Sequence, residues 1–212
     1  MRLLDLFCGA GGAGEGYRRA GFDVTGVDIK PMPNNPHTFI QADALDYLAA
    51  HGHEYDVIHA SPPCQAYSVT RNIGHDADYP DLISPLRELL VASECPYVIE
   101  NVPGAPLHTT ITLCGTMFGL KVYRHRLFES NVMLFQPAHP KHTETIGKAG
   151  RGPNPNGWMS VSGNIVNPEA GRAAMGVDWW MTRNELSQAI PPAYTEYIGK
   201  QLLTAMQRME AA

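Results

Sequence analysis

The chain has no surplus of basic residues and no long apolar run among its 212 residues. Lysine and arginine number 16 against 21 aspartates and glutamates, so the net charge of −5 gives no overall preference for nucleic acid. Any contact with a polyanion must therefore come from local clusters, at Arg124 to Arg126 and Lys148 to Arg151. No apolar stretch reaches the roughly 18 residues that span a bilayer, and the first residues lack a signal-peptide pattern. We therefore expect a cytoplasmic protein without a membrane partner.

Cysteine is also scarce, because Cys8, Cys64, Cys95 and Cys114 are the only four and form no C-x-x-C pair. Free thiols are the default in a cytosolic chain, and all but Cys64 lie in apolar sequence typical of a core. The segment His139-Pro-Lys-His142 has the spacing of a metal-binding pair, but no cysteine or carboxylate lies at a sequence spacing that would complete a metal site with it. The sequence therefore predicts no metal site.

Short apolar runs alternate with helical stretches along the first half of the chain. Runs at 2–7, 22–27, 55–60 and 97–100 predict buried strands. Residues 44–50 predict a helix, and another is predicted to have Ser84 as its N-cap and Pro85 as its first residue, with an apolar face that includes Leu86, Leu89 and Leu90. Residues 122–128 predict a further strand, and 194–209 a closing helix. This alternation predicts an α/β fold in which helices cover both faces of a mixed, mostly parallel sheet.

The segment 136–168 differs in composition, since it is rich in proline, glycine, asparagine and histidine. It is either an insertion with little structure of its own or a small recognition lobe. We therefore divide the chain into 1–135, the insertion 136–168, and a C-terminal segment 169–212 that completes the first unit.

Glycines lie between the first predicted strand and the helix after it, where they allow tight turns and close approach to a ligand. Their spacing is not G-x-G-x-x-G, and no P-loop lysine follows, which favours a nucleoside ligand other than a dinucleotide or ATP. Asp28 is placed to accept hydrogen bonds from ribose hydroxyls, and Asp43 could contact an adenine amine. The alternative is turn glycines and helix-capping acids.

Three further positions could carry chemistry. Pro62 and Pro63 restrict the backbone before Cys64, as expected for a rigid loop that presents a nucleophilic thiol, although a buried structural cysteine is the alternative. Glu100 ends a predicted strand, where a buried carboxyl could donate to a ring nitrogen or only cap the strand. Arg124 and Arg126 alternate, so they could share a face that binds a carbonyl oxygen or phosphates, or form an exposed basic edge.

Taken together and in this order, the motifs resemble those of the cytosine-C5 DNA methyltransferase family. The matching segments are Asp5-Leu-Phe-Cys-Gly-Ala-Gly-Gly12, Asp28-Ile29, Asp43, Pro62-Pro-Cys-Gln65, Glu100-Asn101-Val102, Arg124-His-Arg126 and Ser187-Gln-Ala-Ile-Pro-Pro192. Val122 and Gln188 depart from the family, which usually has glutamine and asparagine there. The segment 136–168 is also shorter than the usual target-recognition domain, as in a compact, phage-like member.

The resemblance implies a Rossmann-like class I methyltransferase fold that uses S-adenosylmethionine to methylate C5 of a flipped cytosine in double-stranded DNA. It also implies a monomer, in a bacterial or phage-infected cell. The implied catalytic residues are Cys64, Glu100, Arg124 and Arg126. Those implied for the cofactor are Phe7, Gly9, Gly11, Gly12, Asp28, Ile29, Asp43, Pro63 and Gln188. Those implied for the substrate or a lid are Gln65, Ser68, Arg71 and Asn101.

In the implied chemistry, the Cys64 thiolate adds to C6 of cytosine, Glu100 holds N3, and Arg126 binds O2 beside Arg124. The same residues would serve equally on RNA or on a free pyrimidine nucleotide. A cofactor-binding regulatory module without turnover is the alternative from a different class of function.

Overall fold

The computed structural model describes residues 1–64, 81–146, 152–163 and 165–210. A seven-stranded sheet lies at its centre. Its strands are β1 (Arg2–Leu6), β2 (Asp23–Asp28), β3 (Thr38–Gln41), β4 (Val57–Ala60), β5 (Tyr97–Asn101), β6 (Thr110–Leu113) and β7 (Arg126–Ser130). They are ordered β3-β2-β1-β4-β5-β7-β6, and only the pairings of β7 with β5 and β6 are antiparallel. The predicted mixed, mostly parallel sheet is confirmed.

Helices cover both faces of the sheet, as predicted. They are α1 (Gly12–Ala20), α2 (Ala44–His51), α3 (Ile83–Ala92), α4 (Pro168–Met175), α5 (Arg183–Gln188) and α6 (Pro192–Glu210), with 3-10 turns at Gly52–Glu54 and Gly115–Phe118. Consecutive strand residues alternate between the two sides: Leu3 packs with α1 and α6, whereas Leu4 packs with α2 and α3. None of the helices in the described ranges is long and apolar enough to cross a membrane.

A third apolar cluster lies beside the sheet and joins the C-terminal half to the glycine loop. Met159, Val161 and Ile165 are buried in it against α4 and α5, and Ala10 of the glycine loop belongs to the same cluster. Among the described residues between Ser130 and Pro168 there is no helix or strand. These apolar residues are therefore ordered by packing against neighbours rather than by a hydrogen-bonded element of their own.

Two sequence predictions about element ends are wrong. Helix α3 begins at Ile83 rather than after Ser84, because the Asp81 carboxylate accepts hydrogen bonds from Ile83 N (2.9 Å) and the Ser84 hydroxyl (2.8 Å). Strand β7 begins at Arg126 rather than Val122. The backbone of Lys121 bonds outside the sheet instead, since its N–H donates to Ala174 O and its carbonyl accepts from Met159 N.

Candidate active site

The polar residues that follow the strands meet at one edge of the sheet. Strands β1 to β5 run parallel, so their carboxyl ends, and the residues that follow them, share that edge. Strand β7 is antiparallel and therefore begins there, with Leu127 opposite Asn101 of β5. The fold thus brings Asp28, Cys64, Glu100 and Arg126 to the same side of the molecule.

The glycine loop has two different kinds of glycine. Phe7 (φ 57°) and Gly9 (φ 50°) both adopt the left-handed region, and a Cβ added to Gly9 would meet nothing within 4 Å. A Cβ on Gly11 would instead lie 2.9 Å from Pro36 Cδ, and one on Gly12 would lie 2.6 Å from Ile190 O. Gly9 therefore faces open space where a ligand can approach, whereas Gly11 and Gly12 allow the loop to pack against the protein.

Acidic and apolar groups flank this loop. Asp28 Oδ2 accepts from Gly9 N (3.1 Å) and Asp28 Oδ1 accepts from Lys30 N (3.0 Å), which fixes the carboxylate beside the loop. The adjacent Ile29 is 63% exposed, an apolar surface at the rim. Asp43 caps α2 and accepts two backbone N–H groups at Oδ1, so the capping role that the sequence left open is present. The implied cofactor residues Pro63 and Gln188 are both exposed.

The loop that carries Cys64 is tied to the strands on either side of it. Ser61 N donates to Leu6 O of β1 (3.1 Å), and the buried Asn101 side chain of β5 donates through Nδ2 to Pro62 O (2.9 Å). Asn101 Oδ1 in turn accepts from Val102 N (2.9 Å). Cys64, two residues beyond Pro62, is partly exposed. The structure thus gives Asn101, a predicted substrate residue, the role of a brace for this loop.

A buried chain of polar side chains leads to Glu100 from beneath the site. Tyr17 Oη lies 3.0 Å from His59 Nδ1, and His59 Nε2 lies 3.0 Å from Ser61 Oγ, which bonds Glu100. Burial lowers the pKa of His59 to about 3, so the ring is neutral and carries one proton. The consistent arrangement has the Tyr17 hydroxyl donating to Nδ1, Nε2–H donating to Ser61, and the Ser61 hydroxyl donating to Glu100.

Sequence reasoning missed this chain. The one signal for it was a histidine inside the apolar run of β4, at His59.

Glu100 is a buried carboxyl with a cation beside it. Burial raises its pKa, and the positive charge of Arg126 and the hydrogen bond from Ser61 oppose that rise. Arg126 Nε lies 3.0 Å from Glu100 Oε1, yet that oxygen has no aligned hydrogen bond within the described part of the chain. Glu100 can therefore hold a proton and still offer an oxygen to a ligand.

Arg124 and Arg126 do not share a strand, contrary to the prediction, and they have different partners. Arg124 is buried and donates to Val161 O (2.9 Å) and Ser187 O (2.7 Å), which ties the C-terminal half to the site. Burial, with the nearby charge of Arg126, lowers the pKa of Arg124 to about 9. Its Nε is buried without a described partner. Arg124 thus holds the site together, and Arg126 is the arginine paired with Glu100.

A cavity of about 350 Å³ opens beside these two arginines. Val102 and Pro103 after β5, residues 122–126 before β7, and residues 159–161 form most of its lining. Its volume is in the range of small-molecule sites. The predicted residues Gln65, Ser68 and Arg71, with the expected lid 66–80, lie outside the described residues.

Comparison with known proteins agrees with this arrangement. Residues 1–114 match the family model described as C-5 cytosine-specific DNA methylase. The type II methyltransferase M.AgeI of Thalassovita gelatinovora is 33% identical in an alignment of 84 residues that covers 32% of this chain and 20% of that protein. M.XorII of Xanthomonas oryzae pv. oryzae is 30% identical in an alignment of 118 residues that covers 48% of this chain and 28% of that protein. The chain therefore matches less than a third of the length of either relative.

Two solved structures share the fold over nearly the whole chain. A prophage-encoded E. coli protein, assigned as a DNA modification methyltransferase, superposes with a TM-score of 0.72 at 17% identity and covers 98% of this chain and 99% of its own. The methyltransferase EhMeth of Entamoeba histolytica gives a TM-score of 0.63 at 14% identity, covering 97% and 98%. The predicted Rossmann-like class I methyltransferase fold is therefore confirmed.

Proposed function

Because the chain belongs to the C-5 cytosine-specific DNA methylase family, we propose that it transfers a methyl group from S-adenosylmethionine to C5 of cytosine in double-stranded DNA. The observation that carries this proposal is the pair of the buried Glu100 and the partly buried Arg126, 3.0 Å apart, at the sheet edge where the Cys64 loop is braced. Cytosine has hydrogen-bond acceptors and a donor along one side of its ring, so Glu100 and Arg126 can hold it together. The Cys64 thiol can then attack the ring.

The glycine loop and its flanking residues fit S-adenosylmethionine. Gly9 leaves room for close approach, the Asp28 carboxylate can accept ribose hydroxyls, and the exposed Ile29 offers an apolar surface to adenine. When bound there, S-adenosylmethionine supplies the electrophilic methyl group that C5 takes up. The residues at this end of the loop thus hold the cofactor, and those after β4, at the end of β5 and at the start of β7 act on the base.

Cytosine C5 is a weak nucleophile until the ring is activated. The Cys64 thiolate forms a bond to C6, and the displaced ring electrons make C5 nucleophilic. Glu100 holds N3 and donates a proton to it, for which its raised pKa is suited. Arg126 binds O2 and offsets the charge that develops there. After C5 is methylated, N3 returns its proton to Glu100 and the C5 proton leaves to solvent. The S–C6 bond then breaks with its electrons returning to sulfur, and the ring regains aromaticity.

A cytosine in a duplex must leave the base stack before Cys64 can reach it, at a cost of roughly a few kcal/mol. The cavity of about 350 Å³ lined in part by Arg126 supports this requirement, since its volume is in the range of small-molecule sites. We take residues 136–168 as the reduced target-recognition insertion, because Ile146 and residues 159–161 of this segment line the cavity.

The test is transfer of label from methyl-labelled S-adenosylmethionine to unmethylated duplex DNA, followed by mapping of the modified base. We expect wild type to label cytosine C5 and Cys64→Ser to label nothing while still binding cofactor. Cys95→Ser is the matched control: Cys95 is also a partly exposed free thiol, but it precedes β5 at the opposite end of the sheet. Equal labelling by Cys64→Ser would refute the covalent route.

The same labelling experiment, repeated with RNA and with dCMP, distinguishes the candidate substrates. Label on RNA or dCMP, with none on duplex DNA, would contradict the DNA assignment and leave the site chemistry standing. Cofactor binding without label on any of the three would refute turnover altogether and identify a binding module.

A further inference from the structure

Four side chains that are far apart in sequence converge beside the cavity. Cys114, His125, His139 and His142 each place one ligand atom within 4.8 Å of those of the others. Cys114 Sγ lies 3.3 Å from His142 Nε2, and His125 Nε2 lies 3.2 Å from His139 Nε2. Cys114 is buried, whereas His139 and His142 are exposed, so the cluster can be reached from solvent.

Sheet geometry explains half of this cluster. The ladder between β6 and β7 pairs Leu113 with Arg126 as its last register. Cys114 follows Leu113, and His125 precedes Arg126, so these two residues come next to each other just beyond the end of the ladder. The segment after β7 then returns to the same edge and brings His139 and His142 against them.

Two of the six separations between these ligand atoms are close to those of a tetrahedral metal centre, and the other four are at most 4.8 Å. With zinc bonds of about 2.05 Å to nitrogen and about 2.3 Å to sulfur at tetrahedral angles, neighbouring ligand atoms lie roughly 3.3 Å apart for two nitrogens and roughly 3.6 Å for nitrogen and sulfur. The observed 3.2 Å and 3.3 Å are close to both values. Three imidazoles and one thiolate are also ligands that zinc favours.

We propose that Cys114, His125, His139 and His142 bind one Zn²⁺ ion. All four positions of a tetrahedron are then filled by protein, which is the pattern of a structural rather than a catalytic zinc. Zinc binding here is independent of whether the protein transfers a methyl group.

Neighbouring side chains already orient two of the ligands. Thr116 Oγ1 donates to Cys114 Sγ (3.3 Å), which fixes the position of the sulfur. The Tyr123 ring stacks on His142 with centroids 3.8 Å apart and planes 8° apart. Tyr123 Oη is itself held by the backbone of Glu144, to whose carbonyl it donates (3.0 Å) and from whose N–H it accepts (2.9 Å).

The position of the ion gives it a role in the fold. His125 lies between Arg124 and Arg126, and Tyr123, His125 and Ile146 line the cavity. Zinc would cross-link the segment with His139 and His142 to the start of β7, in a stretch with no described helix or strand to hold it. The metal would therefore fix one wall of the cavity and the backbone on both sides of the paired arginine.

The test measures metal directly. The full chain is produced in zinc-supplemented medium, purified without chelators and analysed for metal content by mass spectrometry. We expect one zinc per wild-type chain, and far less in Cys114→Ser and in His142→Gln. His53→Gln is the matched control, because His53 is an exposed histidine in the 3-10 turn before β4, outside the cluster. It should keep its zinc.

Cobalt supplies a second readout on the wild type. Co²⁺ added to chelator-stripped protein should saturate at one equivalent, with the intense visible bands of tetrahedral coordination and a thiolate charge-transfer band that Cys114→Ser lacks. Circular dichroism identifies any variant that fails to fold, and the wild-type titration decides the question in that case. Wild-type protein that neither retains zinc nor binds cobalt would overturn the proposal, as would unchanged zinc in a folded Cys114→Ser variant.

Discussion

Replacing Asn101 with alanine should slow methyl transfer without weakening cofactor binding. The substitution removes the bond from Nδ2 to Pro62 O and the bond from Val102 N to Oδ1, both 2.9 Å long and located where Asn101 is buried. A buried polar group left without a partner costs about 1–3 kcal/mol. If that cost falls on the loop that presents Cys64, the transfer rate falls between about 5-fold and about 150-fold.

Asn131→Ala is the matched control, because Asn131 makes the same kind of brace at the other end of β5. Its Oδ1 accepts from Tyr97 N (2.8 Å) and its Nδ2 donates to Cys95 O (3.0 Å). Both variants should lower the free energy of unfolding. Only Asn101→Ala should lower kcat for labelled methyl transfer.

The assay is steady-state transfer to saturating duplex DNA, with the Kd for S-adenosylmethionine measured separately by calorimetry. Equal losses of kcat in the two variants would show that general stability, not the position of the Cys64 loop, limits the rate. A weakened cofactor Kd in Asn101→Ala would show instead that the brace supports the glycine loop.

Two further predictions concern stability. Burial raises the pKa of Asp5 from 3.8 to about 8. Between these pH values the folded state keeps a proton that the unfolded state loses. The free energy of unfolding should therefore fall as pH rises from about 4 to about 8. In Asp5→Asn, the urea midpoint of unfolding should no longer fall as pH rises, whereas in the exposed Asp23→Asn it should still fall. A urea midpoint that still falls with pH in Asp5→Asn would refute the role given to Asp5. Gly16→Ala places a Cβ 2.1 Å from Pro192 O and should cost about 1–3 kcal/mol or more by separating α1 from α6. Gly152→Ala meets nothing within 4 Å, so urea unfolding should leave it unchanged, and equal stability of the two alanine variants would contradict the packing argument.

Strands β1, β2, β4, β5 and most of β7 were predictable because local pattern determines them, whereas the short strand β6 (Thr110–Leu113) was not predicted. Consecutive residues of a strand point to opposite faces of the sheet, so a continuous apolar run predicts a strand that is buried on both faces. In the structure Leu3 and Val57 lie on one face, and Leu4 and Ile58 lie on the other. Element ends were less predictable. Within the stretch wrongly predicted to belong to β7, the Arg124 carbonyl accepts from Tyr194 Oη (2.6 Å), a residue too distant in sequence for a local pattern to show.

The candidate site, too, was predictable from the sequence only in part. Glycines, prolines and acids at strand ends can be identified from the sequence, because parallel strands bring their carboxyl ends to one edge. The roles within the site could not be identified in this manner. Arg124 and Arg126 look equivalent in the sequence, yet one donates to Val161 and Ser187 and the other faces Glu100.

The sequence by itself determined the sheet, the family and the residues near the chemistry, because short motifs and strand periodicity depend only on neighbouring positions. The tertiary structure alone decided which groups touch. It placed Tyr17 and His59 behind Glu100, and it brought Cys114 to His142, which is 28 positions further along the chain. A cysteine and a histidine so far apart show no ligand spacing in sequence, since only the ladder between two strands and the return of the chain make them neighbours.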